Sequence, residues 1–363
     1  MLQKELDVSF SSLPPAIEFI GSKRQLLDFV INGIEYSVDE EIRTITDLFS
    51  GTGVVSSAFK SRGYSVFAND HLAICYNMTA SSLLNSKAPD FNGLPSDLIR
   101  TKASPYLSVI HHLNVTEPIR GFVYNNFSPA AIDVFGVDRR YFTESNAAKI
   151  DAIREKIHEW EPYLAPMEKS LLLTDLIRAV SLVSNVAGTY GCYLKKWKAR
   201  ALNSLQLKPS SFVVGDDKSH KVTRLDAEEA VKVNQSPIVY ADPPYTKRQY
   251  AAYYHVLETI VRNDKPELFG NTGLRNWEEQ SSDFCYKRKA EGALERLIRT
   301  SSCDHFFLSY NEDGQISHDR ILNLLSSYGT TNYFEMKLRR YRSSSLTHKG
   351  PTVSERLYHL RRV

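Results

Sequence analysis

The hydrophobic pattern falls into two kinds of stretch. Towards both ends of the chain, short apolar or alternating runs stop at polar or glycine-rich turns and lead into helix-spaced apolar residues. Thr44-Ile45-Thr46-Asp47 turns at Ser50-Gly51-Thr52-Gly53 into a helical pattern through Val54, Val55, Ala58 and Phe59. Residues 64–70 alternate and end in the acid Asp70, and residues 237–241 form a continuous apolar run suited to a buried parallel strand. A strand over 306–311, a helix over 321–325 and two alternating strands, 331–338 and 355–360, close the pattern around the basic turn Arg342-Ser343-Ser344-Ser345. Between about 78 and 210 the alternation of strand and helix stops. Thr143 followed by Asn146 predicts the start of a long amphipathic helix through Ile153, Ile157 and Trp160, and an apolar helix is expected from 169 to about 187. Residues 263–290 read as a second, loop-rich excursion. The expectation is an α/β domain built from 1–78 and 211–363, interrupted at 79–210 by a largely helical insertion.

Composition changes this picture little. The chain has 363 residues, 42% of them hydrophobic and 24% charged, as in an ordinary globular protein. No run approaches the roughly 20 apolar residues of a membrane span, and Met1-Leu2-Gln3-Lys4-Glu5-Leu6-Asp7 lacks the basic-then-apolar order of a signal peptide. Cys75, Cys192, Cys285 and Cys303 are scattered without metal-ligand spacing, so no metal site is expected, and a reduced, cytoplasmic location is. The net charge of +3 decides nothing about partners. Two runs that mix cations with aromatics, 195–200 and 337–342, have the make-up of a phosphate-contacting surface or of a solvated face.

Chemistry concentrates in Asp242-Pro243-Pro244-Tyr245, directly after the apolar run. Two prolines fix the backbone and remove two N–H donors, leaving carbonyls to face a ligand. The Asp242 carboxylate and the Pro243 carbonyl can each accept one hydrogen of an exocyclic amine, while the Tyr245 ring stacks on its heterocycle. The end of a parallel strand is where open α/β sheets bind ligands. The glycine turn after Asp47 lets the backbone approach a ligand closely. Asp70 stands where Rossmann-type sites place an acid on the ribose hydroxyls, with His71 beside the adenine edge, and equally where a strand-end acid caps the next helix. The turn lacks the third glycine of a dinucleotide fingerprint, and Gly21-Ser22-Lys23 lacks the upstream glycine of a phosphate loop. Ser22 is placed to cap a helix bearing Leu26, Leu27, Phe29 and Val30.

Taken in order, these features resemble the D12 (alpha-type) adenine-N6 DNA methyltransferases over essentially the whole chain. Phe19-Ile20-Gly21-Ser22-Lys23 resembles motif X, Asp47-Leu48-Phe49-Ser50-Gly51-Thr52-Gly53 resembles motif I, and Asp242-Pro243-Pro244-Tyr245 resembles motif IV. The continuation to Tyr250 matches a subgroup with D-P-P-Y-x-x-R-Q-Y. The resemblance implies a Rossmann-like class I S-adenosylmethionine-dependent methyltransferase sheet. It places Phe19, Gly21, Lys23, Asp47, Phe49, Gly51, Gly53, Asp70 and Asp242 at that cofactor, and a further acid, Asp226 or its rival Asp216, at the cofactor's adenine. Asp242, Pro243, Pro244 and Tyr245 become the catalytic set. Double-stranded DNA becomes the partner, and a cognate restriction endonuclease stays open. The insertion takes the place of the target-recognition region, with Lys195 and Lys196 on the DNA side. Lys247 and Arg248 are expected to hold phosphates flanking an extruded nucleotide, Gln249 to read a base edge, and Tyr250 to lie beside them.

Four other readings share some of these features. Cytosine-N4 methylation uses the same chemistry, though serine commonly replaces Asp242 there. An RNA or guanine-N2 methyltransferase can carry the same four residues. A nicotinamide oxidoreductase accounts for the glycine loop but not for the two prolines. A DNA-binding module with a relict cofactor pocket needs neither motif intact. Tyr254, His255 and Glu258, within one helical turn, read as a packed polar cluster before a catalytic one.

Overall fold

Seven strands form the sheet that carries the motifs: β1 (Thr44–Asp47), β2 (Ser65–Asn69), β3 (Lys221–Thr223), β4 (Ile238–Ala241), β5 (His305–Asn311), β6 (Thr330–Arg339) and β7 (Thr352–Arg361). Their order is β6-β7-β5-β4-β1-β2-β3. Strands β3, β2, β1, β4 and β5 pair in parallel, and β7 runs antiparallel to both β5 and β6. This is the expected α/β, Rossmann-like arrangement. The computed structural model describes residues 10–11, 13–14, 17–99, 104–213, 219–339 and 352–362. The basic turn at 342–345, part of the 337–342 run and Asp216 lie outside the described residues.

The chain divides into two units. One holds Gly21–His71, Asp216–Gln249 and Ser281–Val363 and contains the sheet; the other holds Met1–Ile20, Leu72–Gly215 and Tyr250–Gln280. In the sheet unit every residue of β4 and β5 is buried, as continuous apolar strands covered on both faces should be. On one face, helices Ala227–Val233, Ala290–Thr300 and His318–Ser326 pack Ala230, Leu294, Leu297, Ile321 and Leu325 with Val239, Phe306 and Leu308. Leu357 points the other way from Tyr358 by strand alternation. There helix Leu27–Ser37 approaches so closely that a Cβ on Gly33 would stand 2.6 Å from Leu357 Cδ2. The edge strand β6 alternates half-buried with exposed positions, and exposed charge discourages pairing with another chain.

The other unit is largely helical. Helices Ala73–Leu83, Pro105–Val115, Glu144–Trp160 and Pro166–Leu182 share a core with His255–Arg262. Thr143 caps its helix as the sequence predicts, its hydroxyl accepting the Asn146 N–H at 3.2 Å. The apolar helix runs from Pro166 to Leu182, not 169 to 187. Pro166 supplies the first turn, and Glu168 reaches back to the Ala165 N–H at 2.9 Å. Beyond Leu182, the Asn185 amide donates to the Arg140 and Leu194 carbonyls, and Val186 bridges Tyr193, which draws the backbone out of the helix. This unit also takes in residues 250–280, part of the 211–363 range read as catalytic. There the Glu258 carboxylate accepts the Ala73, Ile74 and Gln280 N–H groups, and His255 meets the Tyr190 carbonyl at 2.9 Å. Among the described residues no helix is long and apolar enough to cross a membrane.

Candidate active site at the carboxyl edge of the sheet

The stretches that resemble motifs I and IV meet because β1 and β4 are neighbours, with Asp47 in register with Tyr240. The pairing continues past the strand, where the Leu48 N–H donates to the Tyr240 carbonyl at 3.0 Å. Asp47 is 1% exposed. One carboxylate oxygen accepts the Ser56 hydroxyl at 2.7 Å, and the other, Oδ1, is buried with no hydrogen-bond partner among the described residues. Burial, opposed by Ser56, pushes the Asp47 carboxyl up to about 7. The loop then turns through Gly51 and Gly53 at φ of 53° and 75°, a region that residues with a Cβ seldom adopt. Asp70, just past β2, holds this loop by accepting the Gly51 N–H at 2.9 Å. Phe49 sets its ring edge-on to Phe284, 5.6 Å between centroids.

Asp242 follows β4 at the same edge. Its Oδ1 lies 2.7 Å from the Lys23 ammonium, and 14% of its side chain stays exposed. Gly21 lies in the turn before Lys23. Ser22 stands at the start of a 3-10 turn, Lys23–Leu26, that runs into helix Leu27–Ser37, but its side chain makes no cap hydrogen bond. Lys23 is 5% exposed and has a second carboxylate, Glu355 of β7, at 3.1 Å. Burial alone would depress the Lys23 ammonium; Asp242 and Glu355 outweigh it and hold the group protonated well above the ordinary lysine range. Burial pushes Asp242 up to about 6 against the pull of Lys23, with Glu355 adding to the rise. The two directions are compatible because two carboxylates share one cation.

Pro243 is buried and Pro244 half-buried. Tyr245 is held at both ends: its carbonyl accepts the Gln315 N–H at 3.0 Å, and its ring meets Tyr310 edge-on at 5.8 Å. The Tyr310 hydroxyl is itself fixed by the Gln315 and Ile316 N–H groups. Lys23 lies 5.6 Å from the centroid of the Tyr245 ring.

The remaining expected residues divide. Lys247 and Arg248 are exposed after the motif. Gln249 is 7% exposed and uses both ends of its amide on one residue, donating to the Ser282 carbonyl at 3.0 Å and accepting the Ser282 N–H at 2.9 Å. It clamps the loop and in this structure presents no edge to a base. Asp226 is exposed and caps helix Ala227–Val233, accepting the Glu228 N–H at 2.9 Å. Phe19, Tyr250, Lys195 and Lys196 belong to the helical unit. There Phe19 stacks on Tyr254 at 4.3 Å with Tyr250 at its edge, while Lys195 and Lys196 are exposed. Sequence reasoning missed Glu355 and Asn311. The one signal was an acid on the Leu357 side of an alternating strand, where an apolar residue is the ordinary occupant.

Comparison with known proteins agrees with this geometry. A profile described as the D12 class N6 adenine-specific DNA methyltransferase matches residues 19–320. The chain is 36% identical over 336 residues to Type II methyltransferase M.FokI of Planomicrobium okeanokoites, covering 90% of this chain and 50% of that one. It is 34% identical over 352 residues to Modification methylase StsI of Streptococcus sanguinis, covering 95% and 52%. With Type II methyltransferase M.NlaIII of Neisseria lactamica it is 31% identical over 356 residues, 96% of this chain and 100% of the relative. It thus spans about half the length of the first two relatives and the whole of the third. With the Asp-Pro-Pro-Tyr strand end, the Asp47 glycine loop and this match over most of its length, the chain belongs to the D12 class N6 adenine-specific DNA methyltransferase family.

Proposed function

We propose that this chain transfers a methyl group from S-adenosylmethionine to N6 of an adenine flipped out of a specific double-stranded DNA sequence, with no metal required. The observation that carries the reading is the placement of Asp242 and Tyr245 at the edge that also bears Asp47 and its glycine loop. The residues present fit the cofactor. Among the described residues one buried Asp47 oxygen has no hydrogen-bond partner, as an acceptor for an ammonium group would. Gly51 and Gly53 bring backbone close, and Asp70 stands at the strand end. Two carboxylates around one lysine favour a cationic sulfonium. Asp226 is our choice for the acid at the cofactor's adenine.

When bound, S-adenosylmethionine supplies an electrophilic methyl group. The protein's task is to make a poor nucleophile usable, because the N6 lone pair is delocalised into the ring. Asp242 and the Pro243 carbonyl accept the two N–H hydrogens, which favours a tetrahedral nitrogen. Tyr245, braced by Tyr310, holds the ring, so catalysis comes from position and electrostatics. Asp242, ionised above about pH 6, can take the proton that N6 sheds. Flipping the base costs roughly a few kcal/mol. Lys247 and Arg248 beside the motif, and Lys195 and Lys196 in the helical unit, would offset this through phosphate contacts. The helical insertion at 79–210 would serve target recognition. The relatives' names favour a modification role; we place it in the cytoplasm, beside a cognate restriction endonuclease or as a stand-alone modification of cellular or phage DNA.

The test is incubation with labelled S-adenosylmethionine and a mixed plasmid library, followed by single-molecule modification mapping. The expected result is N6-methyladenine at one recurring short sequence. Label on cytosine or on RNA would replace the substrate. Absence of label despite cofactor binding would replace the enzyme with a DNA-binding module.

A further inference from the structure

Glu355 lies beyond the 19–320 match and outside every motif that carries the family resemblance, yet it is the second carboxylate on the Lys23 ammonium. It is 2% exposed in β7, in register with Asn311 of β5. Asn311 Nδ2 donates to Glu355 Oε2 at 2.9 Å, and Asn311 Oδ1 accepts the Asp313 N–H at 2.9 Å, which fixes which way the amide points. The other oxygen, Oε1, lies 3.1 Å from Lys23 Nζ and has no hydrogen-bond partner among the described residues, so what holds it there is charge. Burying an acid on a strand face that would otherwise be apolar is costly unless an opposite charge meets it. Lysine, on a flexible four-carbon stem, needs such an anchor to stand in one place.

We propose that Glu355 is a positioning residue of the transfer site: oriented by Asn311, it holds the Lys23 ammonium against Oδ1 of Asp242, so that Asp242 meets the target amine in one orientation. The part that concerns turnover rests on the methyltransferase reading; the hold on Lys23 does not. The titratable groups acting on the ammonium are Asp242, Glu355, Tyr240 and Tyr245, with Asp47 facing Asp242 and Asp313 facing Tyr245. Of the two carboxylates in contact with the ammonium, Asp242 belongs to the substrate-facing set and Glu355, held on β7, does not.

Two measurements on wild type and Glu355→Gln test this. One is competitive acetylation of Lys23 with acetic anhydride across pH, read by peptide mass spectrometry. The other is single-turnover methyl transfer alongside titration with S-adenosylhomocysteine. With its second carboxylate gone, burial acts on Lys23 less opposed, so it should acetylate at lower pH than in wild type. Transfer should fall at least about tenfold, with S-adenosylhomocysteine affinity within about threefold. Glu355→Asp, which keeps the charge, should recover part of both. Should Glu355→Gln not fold, Asn311→Ala removes the bond that orients the acid, along with the Asp313 turn bond, while leaving the acid in place, and is read the same way. A wild-type acetylation profile in the variant overturns the hold on Lys23, and a shifted profile with unaltered transfer overturns the positioning role. A wild type that transfers nothing sinks the methyltransferase reading and the turnover half with it, while acetylation still judges Glu355.

Discussion

At the scale of single residues, the proposed transfer depends on Asp242 being an acceptor although it is half-buried and shares its lysine with another acid. An acid whose pKa is raised holds its proton more tightly, so the acceptor form is lost as pH falls through about 6. Transfer should therefore show an acid limb near pH 6 in a single-turnover profile, and a flat rate down to pH 5 would remove Asp242 from the transfer step. Asp242→Asn keeps the shape and loses an acceptor. Transfer should drop by about 10²–10³-fold while cofactor affinity stays within a few-fold by calorimetry. Unchanged turnover would contradict the motif IV assignment.

At the scale of elements, Gln249 separates two roles. A base reader and a loop clamp are spelled alike, but the paired bonds to Ser282 make it a clamp. Gln249→Ala should lower the unfolding free energy by about 1–2 kcal/mol and leave the methylated sequence unchanged; a shifted target sequence would restore base reading. Strands β5 and β7 carry a different liability. His305 and His359 face each other at 2.9 Å, both buried, and burial holds both below the usual histidine range, His359 at about 4. A depressed histidine binds fewer protons folded than unfolded, so its contribution is complete above about pH 6.5 and is lost as pH falls towards 4. His359→Gln should reduce the loss of stability between pH 6.5 and 5 by about 1 kcal/mol in paired denaturant titrations. Parallel curves for variant and wild type would exclude the pair as an acid sensor.

At the scale of the whole molecule, the chain leaves the sheet unit twice, after His71 and after Gln249, and each departure follows a stretch of the candidate site. The two groups of exposed cations lie in different units, Lys247 and Arg248 in one, Lys195 and Lys196 in the other. If each side chain neutralises a phosphate, the double variants Lys247→Ala/Arg248→Ala and Lys195→Ala/Lys196→Ala should each weaken binding across DNA sequences. The slope of log affinity against log salt should fall by about 1 for each phosphate left without its cation. An unaltered slope for either pair would take it out of the interface.

Much of this was legible in one dimension because the signals are local. Period-two and apolar runs mark β1, β2, β4 and β5, glycines mark the turn after Asp47, and two prolines stiffen the end of β4. Thr143 names its own helix start. The boundaries that moved did so through long-range bonds: Asn185 ends a helix that periodicity alone would continue. Residues 250–280 look like more of the catalytic part until Glu258 and His255 are seen bonded into the helical unit. By itself, then, the sequence determined the order of the sheet's main elements and the family, and it singled out Asp242 as the proposed acceptor. Only the tertiary structure decided that Gln249 is held by Ser282, that Asp226 serves as a helix cap, and that Lys23 answers to Glu355, which lies 332 positions later in the chain. Local propensity and periodicity act over a few residues, whereas the charge and hydrogen-bond partners of a buried polar group are set by whichever strands the fold makes adjacent.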